Sequence, residues 1–141
     1  MREIKFRVWD KEDERFAKNS HLVFDFDGNI FNLQTGEDEK ELILLQYTGL
    51  KDTNKKEIYE GDILRRPAKD AWEKENYECY EVFFHDGNEA GEHIGFVMNR
   101  SHYHGNMSGG CIPGFLPRQT EKMEVIGNIW EDAKLLTEVN K

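Results

Sequence analysis

Four histidines crowd one stretch of the chain, His85, His93, His102 and His104, and Cys111 follows them. Asp86, Glu89 and Glu92 fall in between. Imidazole, thiolate and carboxylate are the groups that bind zinc. Segment 85–111 therefore holds the residue types of a metal centre, and through it of a metal-dependent enzyme. His102 and His104 stand two apart, so in an extended chain both rings would project to one face. Against this, no helical or knuckle spacing joins the five candidates, and His85 and His93 flank a hairpin connection. Polar turn and loop residues are the preferred reading, with no metal or other cofactor expected.

Three other constellations invite chemistry and fall short of it. Cys111 with a histidine would make a nucleophile pair, but Gly109-Gly110-Cys111-Ile112-Pro113-Gly114 offers neither a helix start nor positive charge to stabilise a thiolate. Asp25, Asp27 and Asn29 around Gly28 look like the opening of a calcium loop. Position twelve counted from Asp25 is Gly36, where the bidentate glutamate should stand, so a hairpin turn is expected. Asp62, after Gly61, would serve a catalytic role on a loop, yet an aspartate there more often accepts backbone N–H groups in a tight turn. The aromatic set that includes Trp9, Trp72 and Trp130 suits a lean core better than a stacking platform.

The elements around these residues read as strands. Ile4, Phe6 and Val8 alternate with Lys5, Arg7 and Trp9, the period of a half-buried strand. Asp27-Gly28-Asn29 is a hairpin signal between 21–26 and 30–33, so residues 2–33 predict an antiparallel meander. Leu42 to Leu45 continues into Tyr47-Thr48, which favours strand over helix for 37–46. Gly49 and Gly61 sit at sharp turns where positive φ is expected. Asp62 opens a strand, a short helix fits 68–75, and strands follow at 77–84, 94–98 and within 120–130. A helical turn is predicted at 131–136. Segment 101–117 has no apolar period and is expected to be the most mobile internal stretch. From Gly61 onward this order suits a small curled barrel. The fold class expected is mainly β (β or α+β): an antiparallel SH3-like barrel with an N-terminal meander and a short C-terminal helical turn. The division is either 1–36 and 37–141 or one continuous domain, 1–141.

Composition narrows the function classes. The chain has 141 residues, with 28 acids against 19 bases and a formal net charge of −9. Proteins that bind the nucleic-acid backbone concentrate Lys and Arg, so direct backbone binding is not expected. An acidic surface instead suits solubility, a basic partner or, as a weaker option, mimicry of nucleic acid. No apolar run approaches the length of a membrane span, and no signal peptide opens the sequence. A cytoplasmic location with both cysteines reduced is expected.

The runs LQYTGLKD and KEIYEGDIL, with EVIGNIWED near the C-terminus and MREIKFRVWDKEDERF at the start, resemble the YopX family of small bacteriophage and prophage proteins. The resemblance leaves roughly 66–119 uncovered and implies no activity, substrate or catalytic residues. Together with the weak site candidates it implies a non-enzymatic protein-binding or assembly module. The alternatives are a metal-dependent enzyme using 85–111 or an acidic nucleic-acid mimic. A protein partner from host or phage is expected, with self-association first, because short antiparallel strands leave edges open to another chain. Trp9, Tyr47, Phe96 and Phe115 are the candidates for an exposed aromatic surface.

Overall fold

The computed structural model describes residues 3–18, 21–75, 79–85, 95–100 and 120–137. Its spine is the ten-residue strand β6, Leu42–Lys51. The first half of β6 pairs antiparallel with β1, Phe6–Asp10, from Phe6 opposite Gln46 to Asp10 opposite Leu42. Beyond an irregularity, its second half pairs with β7, Glu57–Tyr59. The two-residue β2, Arg15–Phe16, completes the order β2-β1-β6-β7. Strand is the observed state of 42–46, as its β-favouring continuation predicts.

The second sheet has the order β10-β9-β8-β11. These strands are β8 (Asp62–Arg65), β9 (Cys79–His85), β10 (Gly95–Arg100) and β11 (Glu124–Asn128). Helix α1, Ala71–Glu75, interrupts the excursion before β9, and α2, Lys134–Thr137, follows β11. Ile58 from the first sheet meets Leu64, Tyr80, Val82 and Met98 from the second, and Met123 just before β11, in one buried cluster, with Leu50 and Val125 against it. The curled antiparallel strands form a half-barrel, and the mainly β, barrel-like reading holds. Backbone bonds stitch the two sheets together: Gly61 N–H donates to Val82, Ile129 N–H to Gly61, and Thr53 N–H to Met123.

A third sheet, of order β3-β4-β5, is made of Leu22–Phe24, Ile30–Asn32 and Glu37–Asp38. The Asp-Gly-Asn hairpin falls where its turn chemistry predicts. What the N-terminal pattern did not show is that β1 inserts between β2 and β6, so the meander strands divide between two sheets. Both faces of β1 are partly apolar, and each acquires a layer. Arg7 and Trp9 point to the half-barrel. Phe6 and Val8, with Leu44 beside Val8 on the paired strand, face the small sheet.

Candidate functional site

The residues that look most like a site turn out to hold the sheets together. Arg7 reaches from β1 to the tight turn before β8. Its guanidinium lies 4.6 Å from the ring centre of Phe16 and 4.7 Å from that of Tyr59. One Nη donates to the Asp62 carboxylate and to the Glu60 carbonyl. The other oxygen of Asp62 accepts the Tyr59 N–H at 2.8 Å. Asp62 is almost wholly buried, and that burial pushes its carboxyl above the usual range although Arg7 pulls the other way. This carboxylate closes a turn and anchors a cation, the Asx-type role expected of it. A buried ion pair of this kind neither opens to substrate nor presents a free base.

The C-terminal motif joins the same junction. Trp9 stacks on Trp130 with ring centres 6.2 Å apart. Asn128 Oδ1 accepts the N–H groups of Trp130 and Glu131, and Asp132 returns to accept the Asn128 N–H at 3.1 Å. A Cβ at Gly127 would overlap that Asp132 carboxyl. Gly61, at φ +81°, leaves 3.1 Å between its would-be Cβ and Trp130 Nε1. Asp52, buried after β6, accepts N–H bonds from Asn54, Lys56 and Val125, tying the β6–β7 turn to β11. Arg7 Nε and Trp130 Nε1 are buried donors without a partner among the described residues. The conspicuous motif residues are thus fasteners.

The chemically tempting residues divide as follows. His85 ends β9, while His93, His102, His104 and Cys111 lie outside the described residues, as does segment 101–117. Among the described residues no group of three or more His, Cys, Asp or Glu could hold a metal ion. At the Asp25 turn, one carboxylate oxygen accepts the N–H groups of Asp27 and Asn29 and the other accepts the Asn29 amide. Those bonds hold the carboxyl below its ordinary range. Cys79 is fully buried, and burial pushes its thiol up to about 11, so it stays protonated and unreactive.

The exposed aromatic candidates need correction. Trp9 and Tyr47 are only 4% and 3% exposed, because their places on β1 and β6 turn them into the half-barrel. Phe96 is half-buried against Phe84, and Phe115 lies outside the described residues. Among the described residues, Val23, Phe24, Phe26 and Leu33 are exposed on the small sheet and its turns, while Ile4, Phe84 and Trp72, the last expected in the core, are exposed elsewhere. Val23 sits opposite Phe31 on the outward face of the small sheet, Phe26 stands fully exposed in the turn at one end, and Leu33 is 65% exposed at the other. A signal was present in the sequence: a phenylalanine between two turn aspartates cannot be buried by its own hairpin.

Beneath the small sheet runs a groove of about 720 Å³. Phe16, Leu22 and Leu42 line it together with charged residues from three segments of the chain. It adjoins hollows of about 210 and 300 Å³ on either side of Ile30. Ile30 is the one wholly buried apolar residue of the small sheet among those described. No helix among the described residues is long and apolar enough to cross a membrane.

Comparison with known proteins agrees with this architecture. The chain superposes on the crystal structure of protein EF1440 from Enterococcus faecalis with a TM-score of 0.64. The two are 24% identical over 95% of this chain and 98% of that one, a likeness that shows the fold alone. None of the curated proteins compared matches the chain. The profile of the YopX protein family matches residues 5–137, spanning the β1 strand, the junction and the C-terminal motif. The chain belongs to the YopX protein family.

Proposed function

We propose that this YopX protein is a non-enzymatic protein-binding or assembly module of phage or prophage origin, used first for self-association. The observation that carries the reading is the outward face of the β3–β5 sheet. Val23, paired with the half-buried Phe31, leaves apolar surface facing solvent there, with Phe26 and Leu33 exposed at the two ends. A small domain rarely leaves several large apolar side chains together in water unless they meet a partner. A twofold pairing of two such faces is the simplest closed arrangement.

Light scattering across a concentration series tests this. The wild type is expected to shift from monomer to dimer with rising concentration, and the Phe26→Ser/Leu33→Ser variant to stay monomeric with an unchanged melting temperature. A wild type that remains monomeric throughout removes self-association. Affinity capture from a bacterial host, with and without phage induction, then asks whether a foreign protein uses the same face. A captured partner that the variant fails to retain supports the binding role.

A further inference from the structure

We propose that the groove between the β1–β6 layer and the β3–β5 sheet is a docking site for an extended, basic, amphipathic segment of a partner protein. This goes beyond the self-association reading, which rests on the opposite, outward face of the same small sheet.

The shape and lining carry the inference. At about 720 Å³ the groove is of the size that accepts a short segment or ligand and not a single side chain. It is open to solvent and adjoins the two flanking hollows, sharing Leu22 with one and Leu42 with the other. An open trough suits a chain lying across it better than a small molecule, which needs most of its surface enclosed. Phe16, Leu22 and Leu42 supply apolar floor.

The rim supplies the charge. Asp10, Asp13, Glu39 and Glu131 face Arg15 and Lys18. Arg15 is already paired with Asp13 at 2.6 Å, so three carboxylates remain against one lysine. Each of the three keeps one oxygen with no donor among the described residues. Asp10 uses only Oδ1 to close its turn, Glu39 only Oε1 toward Asn32, and Glu131 only Oε2 toward Asn128. Lysine or arginine side chains of an incoming segment would find these oxygens while its apolar residues cover the floor. Strand β2, whose segment lines the groove, is the edge of its sheet among the described residues. Its free side can add backbone bonds to an extended chain, the mode by which sheet edges take up peptides.

The test is an NMR titration of the full isotope-labelled chain with two short capped peptides of equal length, one alternating Leu and Lys, the other alternating Leu and Glu. The basic peptide is expected to shift amides of 15–18, Leu22, Asn32, Glu39, Leu42 and Glu131. Its affinity should fall roughly tenfold in the Glu39→Lys/Glu131→Lys variant and on raising salt, the mark of rim electrostatics. The acidic peptide should leave the spectrum unchanged. Equal binding of both peptides, or no shift at millimolar basic peptide, overturns the proposal. Shifts confined to Val23, Phe26 and Leu33 overturn it too, while leaving the outward face as an interaction surface. A variant whose amide dispersion matches wild type, yet binds the basic peptide equally well, also overturns it.

Discussion

Asp62 shows how little room the motif residues leave for catalysis. One oxygen holds the Tyr59 N–H and the other holds Arg7, whose guanidinium is sandwiched between Phe16 and Tyr59. Replacing Asp62 by Asn keeps the shape and removes the charge. It strands a largely buried guanidinium, and breaking one side of such a pair costs roughly 3 kcal/mol. Urea unfolding of Asp62→Asn is expected to show a loss of that order. In an Arg7→Met background the same change should cost much less, because the stranded cation is gone. Equal losses in the two backgrounds would mean that Asp62 acts only through its turn.

Among the elements, the β3–β5 sheet is the least secured. Its strands have three, three and two residues. It rests on the central layer through Ile30 and the Phe6–Phe24 ring contact at 4.8 Å, with hollows on both sides. The β8–β9 ladder, by contrast, runs through the fully buried Ile63, Leu64 and Val82. Amides bonded within β3–β5 are expected to exchange with deuterium on the order of a hundredfold faster than those of β8 and β9, as local opening of a thinly packed unit predicts. Equal protection would mean that the small sheet unfolds only with the whole molecule.

For the whole molecule, stability against pH follows from carboxyls pulled in opposite directions. Burial alone raises Glu81 from its ordinary 4.5. A carboxyl raised in the fold stabilises while protonated: its contribution is complete below the ordinary value and is lost as pH rises through the folded one. Glu57, lowered by hydrogen bonds from Lys5 and Tyr59, and Asp25, lowered by Asn29, act in reverse, losing their contribution as pH falls. Those two are exposed to solvent, which screens their effect. Melting temperature is therefore expected to rise as pH drops from 7 toward 5. Glu81→Gln should flatten much of that rise and melt higher than wild type at pH 7. A Glu81→Gln curve parallel to that of wild type would show that Glu81 ionises in the fold without cost.

Local chemistry was legible without the fold. The Asp-Gly-Asn hairpin, the strands at β6, β9 and β11, and the positive φ of Gly61 at its turn follow from side-chain period and turn preference, which neighbouring residues decide among themselves. Gly49 has the expected positive φ, yet it lies within β6 at the irregularity between Tyr47 and Lys51 and not at the expected turn. The barrel-like class followed from strand order. Tertiary structure alone decided which face of a strand meets which layer. Trp9 and Tyr47 are as apolar as any surface anchor, and only the assembly of β1, β6 and β7 into one sheet turns them inward. Gly127 shows no turn signature, since its need for a bare Cα comes from Asp132 folding back over it. The groove joins residues up to 121 positions apart, from Asp10 to Glu131. It exists because the small sheet touches the central layer mainly at Ile30, and no local pattern records where two sheets fail to meet.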